Sequence, residues 1–236
     1  MEDKRNINSK KRVVALLPMK ANSERVKGKN FKNFGGKPLF KWVLDTLISI
    51  DLIDEVIINT DARDKLKNLG VTNDKVILRK RKKDICGDNI SMNRVIEDDV
   101  NNVESDIYIM THTTNPFLKK DSIIRSLNTY EDKVKDGYDS LFSVNKIQTR
   151  FYDIKTRPIN HSSKILQNTQ DLEPWFEENS NIYVFSKESF KKSKARIGLN
   201  PWMFETERSE SIDIDTPQDW DLAEAILEGS KILNRL

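Results

Sequence analysis

The chain has 236 residues, with 40 Lys and Arg against 37 Asp and Glu, so its formal charge is only +3. This small excess excludes a strongly polybasic nucleic-acid binder, and 10 Phe, 5 Tyr and 4 Trp exclude a disordered chain. Cys86 is the single cysteine, which excludes an intrachain disulfide and a multi-cysteine metal site, and two histidines argue against a histidine-rich zinc centre.

Strand-like and helix-like segments then alternate along most of the chain. Short apolar runs predict buried strands, and amphipathic stretches predict the helices between them. The predicted strands are 13–17, 55–59, 75–78, 106–110, 140–144, 181–185 and 211–215, and the main predicted helices are 39–50, 93–103, 121–130 and 217–233. This alternation indicates an α/β fold with a mostly parallel sheet and helices on both faces.

Residues 146–177 break the alternation, because they are polar and show no clear period. We predict that they form an inserted arm or lid, since long loops in compact domains are usually functional. The remainder is predicted to be a single domain, residues 12–236, with a flexible N-terminus at 1–11. The charged N-terminus and the absence of a long apolar run predict a soluble, cytoplasmic protein without a membrane partner.

A dense group of cations follows the first predicted strand. Four of them lie in the ten residues from Lys20 to Lys29. Ligands of α/β sheets bind beyond the carboxyl ends of the strands, and a basic loop there, in which Ser23 and Gly28 permit close approach, suits a polyphosphate. A solvated lysine-rich loop is the competing interpretation. The spacing matches neither a Walker A loop nor G-x-G-x-x-G.

Two carboxylates, Asp213 and Asp215, alternate with isoleucines in the last predicted strand. Residues two apart on a strand point to the same face, so the pair would present oxygen ligands that suit Mg²⁺ beside a substrate phosphate. Ordinary alternation on a half-exposed strand, with Asp215 as a helix cap, explains the pattern equally well.

Polar clusters end two further predicted strands. Asp61, after the second, is better explained as a helix N-cap than as a ligand. Residues 111–116 lie where a doubly wound fold keeps substrate contacts, although a turn before Pro116 explains them too. On physical grounds alone, residues 170–171 and 178–183 are only a polar loop that enters a strand.

Taken together, these segments resemble the acylneuraminate cytidylyltransferase family, which includes CMP-sialic acid synthetases and, more distantly, CMP-octulosonate synthetases. The similarity runs in order from about residue 13 to residue 227, and this order is more specific than any one motif. The first loop and the terminal S-I-D-I-D-T are the strongest pieces. The resemblance is carried by residues 17–30, 36–39, 59–61, 78–79, 88–91, 114–116, 178–183 and 211–216.

The resemblance implies a Rossmann-like α/β fold, a homodimer built through the arm, CTP as co-substrate and Mg²⁺ as cofactor. It also implies a role for each matching residue. These are Lys20, Arg25 and Lys29 as catalytic cations, Asn22, Ser23, Asn30, Arg79 and Ser91 as nucleotide contacts, Asp213 and Asp215 as metal ligands, and His112, Thr114, Asn115, Gln170 and Asn179 as acceptor contacts.

The acceptor side departs from the family more than the nucleotide side does. The family's Q-P-T-S-P-L-R reads H-T-T-N-P-F-L at residues 112–118, so the glutamine and arginine that attend the acid sugar are absent. We therefore expect CMP transfer from CTP to a sialic acid-like nonulosonate, with an octulosonate or a phosphonate as the alternative acceptor.

Two other classes of protein remain open at this point. A glycosyltransferase with a D-x-D pair would leave the dense basic loop unexplained, because its donor has already lost the terminal phosphate. A nucleotide- or RNA-binding module would leave the paired carboxylates unexplained, and the modest charge argues against it. We expect no nucleic-acid partner.

Overall fold

The computed structural model describes residues 10–233, so most of the predicted N-terminal segment 1–11 lies outside the described residues. The strands are β1 (Val13–Leu16), β2 (Asn33–Phe34), β3 (Lys37–Pro38), β4 (Glu55–Thr60), β5 (Val76–Lys80), β6 (Ile107–Met110), β7 (Ser140–Ile147), β8 (Trp175–Phe185) and β9 (Pro201–Glu205). The α-helices are α1 (Leu39–Ile48), α2 (Arg63–Asn68), α3 (Met92–Asn102), α4 (Lys120–Lys135), α5 (Lys187–Ser193) and α6 (Pro217–Ile232).

Seven strands form one sheet in the order β5-β4-β1-β6-β8-β7-β9, and β2 pairs with β3 in a separate short hairpin. β8 runs antiparallel to both of its neighbours, whereas the other pairings in the sheet are parallel. The expected mostly parallel sheet is confirmed. Because β1 pairs with β4 on one side and β6 on the other, the strand order reverses at β1, and ligands of such sheets bind there.

Helices cover both faces of the sheet, as predicted. On β1, Val14 and Leu16 are fully buried against one face, which α3 and α5 cover. Ala15 and Leu17 are fully buried against the opposite face, which α1, α2 and α4 cover. Successive residues of a strand point to opposite faces, so an unbroken apolar run is what a strand buried on both sides requires.

A third apolar cluster lies between the β2–β3 hairpin and α6. Phe34 packs edge-to-face on Trp220 with 5.4 Å between ring centroids, and Ile214 is fully buried in the same cluster. The hairpin turns through Gly35, whose φ is +59° and whose added Cβ would lie 2.2 Å from Leu227. Only glycine fits this turn, which brings the hairpin against α6. The cluster anchors the residues on either side of Ile214.

The prediction of a strand at 211–215 is wrong. The segment has no regular secondary structure and pairs with no strand, and the backbone N–H of Ile214 donates to the carbonyl of Thr114 at 2.9 Å. It ends at once in the N-cap of α6, where Thr216 and Asp219 form a reciprocal capping box. Because a loop and not a strand lies alongside, no ladder forms. The short strand β9 was not predicted.

The irregular region 146–177 leaves the sheet between β7 and β8. Their pairing extends to Ile147 and Trp175, and Trp175 stacks on Phe151 with 4.9 Å between ring centroids. Beyond this stack the segment exposes large apolar side chains, among them Ile154 and Leu166 at 99% and 91%. No helix within residues 10–233 is long and apolar enough to cross a membrane.

Candidate active site

A cleft of about 560 Å³ opens at the carboxyl ends of β1 and β6. Its lining includes residues of the loop after β1 and residues that precede α6. The basic loop and the paired carboxylates therefore lie in the same cleft, as the sequence analysis predicts. Of the predicted site residues, those that line it are Lys20, Ser23, Arg25, Lys29, Asn30, His112, Thr114, Asp213 and Asp215.

Asp215 connects the segment that precedes α6 to the loop that follows β1. Its Oδ1 accepts from Lys29 Nζ at 2.9 Å, and its Oδ2 accepts from Arg25 Nη2 at 3.0 Å. Burial alone would raise the pKa of Asp215, but the hydrogen bond from Lys29 and the charges of Lys29 and Arg25 outweigh it and hold the pKa below its usual value. The carboxylate is therefore ionised and fixed by two cations from the loop after β1.

Asp213 lies deeper than Asp215 in the same wall. Its Oδ1 is buried and has no hydrogen-bond partner among the described residues. Burial raises the pKa of Asp213 above its usual value, a hydrogen bond with Thr114 opposes the rise, and the charge of Asp215 adds to it. A buried carboxylate oxygen without a partner is costly unless a cation reaches it. The pair thus offers two hard oxygen donors on one side of the cleft.

Asn30 ties the loop after β1 to the loop after β6. Its amide donates to the carbonyl of Lys20 at 2.9 Å, and its Oδ1 accepts from Thr113 at 2.7 Å. Lys20 itself reaches across the cleft to Asp88 at 2.5 Å. Asp61 is not the predicted helix cap, because Ala62 occupies that position and the Asp61 carboxylate accepts from the N–H of Ala21 instead. The loop after β1 is therefore held in shape by side chains from several strand ends.

Arg81 lines the cleft although the sequence analysis missed it. The residue is 5% exposed, and its guanidinium donates to the carbonyls of Asn59 at 2.8 Å and Met19 at 3.3 Å. Burial lowers the pKa of Arg81 from its usual value, and nearby carboxylates oppose this. The signal that could have found it is its place as the first residue after β5, at the carboxyl edge of the sheet.

His112, Arg196 and Tyr183 form a group in the cleft wall that also borders Ser180. Arg196 Nη1 donates to His112 Nε2 at 3.2 Å, and its guanidinium lies 3.9 Å from the centre of the Tyr183 ring. Burial, aided by the charge of Arg196, lowers the pKa of His112 to about 3. Because arginine only donates, the neutral His112 accepts at Nε2 and carries its proton on Nδ1.

Arg79 lies outside the lining of the cleft. It forms ion pairs with Asp98 at 3.0 Å and with Asp99, on α3. Burial raises the pKa of Asp99 to about 6, against the hydrogen bond from Asn59 and the charge of Arg79. This buried cluster ties β5 to α3 and leaves the Arg79 guanidinium engaged.

Five further predicted residues also lie outside the lining. Asn179 is buried and bonded to Ser143, Asn145 and Thr206 at 2.6 to 3.0 Å. Asn115 is buried and donates to the carbonyl of Ile212 at 3.4 Å, which supports the segment that carries the paired carboxylates. The others are Ser91, which caps α3, the exposed Asn22, and Gln170, which is exposed in the arm.

A mostly parallel sheet with a basic loop after its first strand and paired carboxylates at the same edge fits a nucleotidyltransferase of the α/β type. A profile of the cytidylyltransferase family matches residues 14–234. The chain belongs to this family. The match favours a nucleotidyltransferase over the glycosyltransferase and RNA-binding alternatives.

Individual relatives are more distant. The CMP-N,N'-diacetyllegionaminic acid synthase of Legionella pneumophila is 25% identical over 92% of this chain and 97% of its own length. The N-acylneuraminate cytidylyltransferase A of Danio rerio is 26% identical over 90% of this chain and 50% of its own length. A solved CMP:2-keto-3-deoxy-manno-octonic acid synthetase in complex with CTP has the same fold, with a TM-score of 0.68 at 16% identity over 93% of this chain and 99% of that one.

Proposed function

We propose that this chain transfers the cytidylyl group of CTP to a hydroxyl of an acidic sugar and releases pyrophosphate. The observation that carries the proposal is the ion-pair group of Asp215 with Lys29 and Arg25, which joins the basic loop after β1 to a carboxylate pair inside one cleft. The names of the relatives, which are synthases of CMP-linked acidic sugars, support the choice of donor and acceptor.

The reaction forms a bond between the acceptor oxygen and the α-phosphorus of CTP, and the bond to the oxygen that bridges to the β-phosphorus breaks. The acceptor loses its proton and pyrophosphate leaves in line. Such a transfer needs alignment and neutralisation of charge more than covalent catalysis. Lys20, Arg25 and Lys29 would hold the triphosphate and stabilise the charge that develops on the leaving pyrophosphate. Arg81 supplies a further cation on the cleft lining.

The cofactor proposed here is Mg²⁺, held by Asp213 and Asp215. The unpartnered Oδ1 of Asp213 and the ionised Asp215 fit a hard divalent cation. Within residues 10–233 no cluster of three or more His, Cys, Asp or Glu could hold a metal, so substrate phosphates and water would complete the coordination. When bound, the metal would neutralise phosphate charge and lower the pKa of a hydroxyl beside it.

The test is a pyrophosphate-release screen. Purified protein is incubated with each of the four NTPs, with and without Mg²⁺, against N-acetylneuraminate, N,N'-diacetyllegionaminate, 3-deoxy-manno-octulosonate and a phosphonate. We expect release with CTP, Mg²⁺ and an acidic nine-carbon sugar together, and a product with phosphorus-31 signals of a phosphodiester. Turnover with UTP or ATP but not with CTP would overturn the assignment of cytosine as the nucleobase of the donor.

We also propose that the protein is a homodimer joined through the arm between β7 and β8. Its support is the exposed apolar surface of that arm, where Ile154, Ile165 and Leu166 are 99%, 65% and 91% exposed. Surface of this kind on a soluble protein usually marks an interface. Light scattering after size exclusion should give twice the chain mass, and Ile154→Asp with Leu166→Asp should halve it. A monomer in the unaltered protein would refute the proposal.

The proposed location is the cytoplasm, the compartment in which CTP is made and a lone thiol such as Cys86 stays reduced. Cell fractionation with an antibody to the chain tests this. Recovery in a membrane or extracellular fraction would contradict it.

A further inference from the structure

Arg196 stands apart from the other cations of the cleft. It lies in the irregular segment between α5 and β9, far along the chain from the basic loop, and its side chain is 19% exposed. The guanidinium rests on the face of Tyr183 and donates to His112. Stacking and a neutral hydrogen-bond acceptor fix its plane without neutralising its charge.

The remaining cleft cations already have strong partners. Arg25 and Lys29 share Asp215 at 3.0 and 2.9 Å, and Lys20 contacts Asp88 at 2.5 Å. Arg81 is buried against backbone carbonyls.

Arg196 faces one carboxylate, that of Glu178, whose side chain is 42% exposed. The contact is long, at 3.4 Å from Nη2 to Oε1. Glu178 is moreover engaged by the hydroxyl of Tyr183. Among the cleft cations that pair with a carboxylate in the described residues, Arg196 therefore has the longest contact. A guanidinium held in one plane can bind a carboxylate ligand with two parallel hydrogen bonds.

We propose that Arg196 binds the carboxylate of the acceptor and makes the enzyme prefer acidic over neutral sugars. The proposal rests on the function proposed above. The basic loop after β1 takes the triphosphate, so a planar fork on a separate segment is free for the acceptor. His112 is a positioning residue, because it holds the guanidinium plane while adding no charge of its own.

The test compares acid acceptors with their neutral counterparts. The variants are Arg196→Gln, Arg196→Lys and the matched control Arg208→Gln, an exposed arginine outside the cleft lining. Each is assayed by pyrophosphate release with N-acetylneuraminate, N,N'-diacetyllegionaminate and 3-deoxy-manno-octulosonate, and with the methyl ester of each. KM for CTP is measured in parallel, and thermal melting reports on folding.

We expect Arg196→Gln to lower kcat/KM on the acid by about 10- to 100-fold, mainly through KM, which is typical of a lost charge-assisted pair. Turnover of the ester and KM for CTP should change by less than about threefold, so the preference for acid over ester disappears. Arg196→Lys should keep part of the preference, because it retains the charge but not the fork. Arg208→Gln should behave like the unaltered protein.

Two outcomes would overturn the inference while the proposed function stands. If Arg196→Gln keeps the preference for acid over ester, another group binds the carboxylate. If Arg196→Gln raises KM for CTP as much as KM for the acid acceptor, Arg196 is a phosphate ligand. Should the unaltered protein release no pyrophosphate with any acidic sugar, the proposed function fails and this inference fails with it. Should Arg196→Gln not fold, the inference is tested with Arg196→Lys, by comparing its kcat/KM on the acid with its kcat/KM on the methyl ester.

Discussion

Two walls of one cleft differ in how they carry charge. The wall that holds Asp213 and Asp215 is a network of ions, in which carboxylates from the end of the chain meet Lys29 and Arg25 from its beginning. The wall that holds His112 and Arg196 has a single cation beside a neutral imidazole. Under the function proposed above, the first wall would bind a ligand with many negative charges, and the second wall would bind a ligand with one.

The difference shows that preorganisation takes two forms here. In the ionic wall, Lys29 and Arg25 are already paired with Asp215. A bound triphosphate with its cation would replace these ion pairs, because its phosphates would pair with the two basic residues and its cation with the carboxylate. In the second wall, stacking on Tyr183 holds the Arg196 guanidinium in place, and the carboxylate that faces it, that of Glu178, is 3.4 Å away. Changes that remove charge should therefore affect catalysis on the first side and selectivity on the second.

Asp213→Asn should produce the largest effect. The amide has the shape of the carboxylate but is a poor metal ligand, so we expect kcat to fall by about 100-fold or more. Stability should change by less than about 1 kcal/mol, since burial already disfavours the charge and Oδ1 has no partner to lose. Steady-state kinetics and thermal melting check this. A loss of activity matched by a large loss of stability would contradict the assignment of a functional role.

Lys29→Met and Arg25→Gln should separate the two cations that hold Asp215. Lys29 is the more buried, with its side chain 10% exposed against 66% for Arg25. Screening by water weakens an exposed charge, so we expect kcat/KM for CTP to fall about 100-fold for Lys29→Met and about 10-fold for Arg25→Gln. Lys27→Gln, exposed and outside the cleft lining, is the matched control. The reverse order of effects would refute this ranking.

Arg81→Met and Arg79→Met should distinguish a cleft residue from a structural one. Arg81→Met should raise KM for CTP by about 10-fold, because the cation borders the cleft. Arg79→Met would remove the guanidinium that pairs with the buried carboxylates Asp98 and Asp99. Asp98 keeps Lys82 at 2.6 Å but Asp99 loses its ion pair, so we expect a loss of about 3 kcal/mol of stability. Urea unfolding and CTP titration measure the two quantities. A stable Arg79→Met protein that no longer binds CTP would restore the role expected from the sequence.

His112→Gln should change how stability depends on pH. Burial lowers the pKa of His112 from 6.5 to about 3, so an unfolded chain takes up a proton near pH 6.5 while the folded chain does not. The stability contributed by neutral His112 is therefore complete above pH 6.5 and is lost as the pH falls below it. Between pH 7.5 and 5.0 the unaltered protein should lose about 1–2 kcal/mol more than His112→Gln in urea titrations. Equal pH slopes would show that the imidazole is not held neutral.

The sequence predicts the parallel sheet and the cations and carboxylates of the ionic wall, because each follows from a local pattern. The order of apolar runs encodes the sheet, and residues at strand ends meet at one edge. The sequence could not show whether residues 211–215 form a strand, because a strand requires hydrogen bonds to a neighbouring strand. Arg79 and Arg81 differ in whether they lie on β5 or just after it, and sequence patterns place such boundaries poorly.

The second wall was harder to predict. His112 belongs to the polar cluster at residues 111–116, but Arg196 lies between α5 and β9 in a segment without a motif. Its importance comes from contacts with Met110, His112 and Tyr183, which pairing of β6 with β8 brings together. The expected role of Asn179 also depended on packing, because its side chain is directed into a buried network with Ser143 and Thr206. Contacts between residues that are distant along the chain cannot be predicted from local sequence patterns.

The bond between Arg25 and Asp215 spans 190 positions of the chain. A polypeptide still emerging from the ribosome therefore holds its basic loop long before the matching acid has been translated. Until Asp215 has been translated, the Lys29 ammonium group lacks this counterion. A product cut short before residue 213 would lack both acids, so under the proposed function it could not transfer the cytidylyl group.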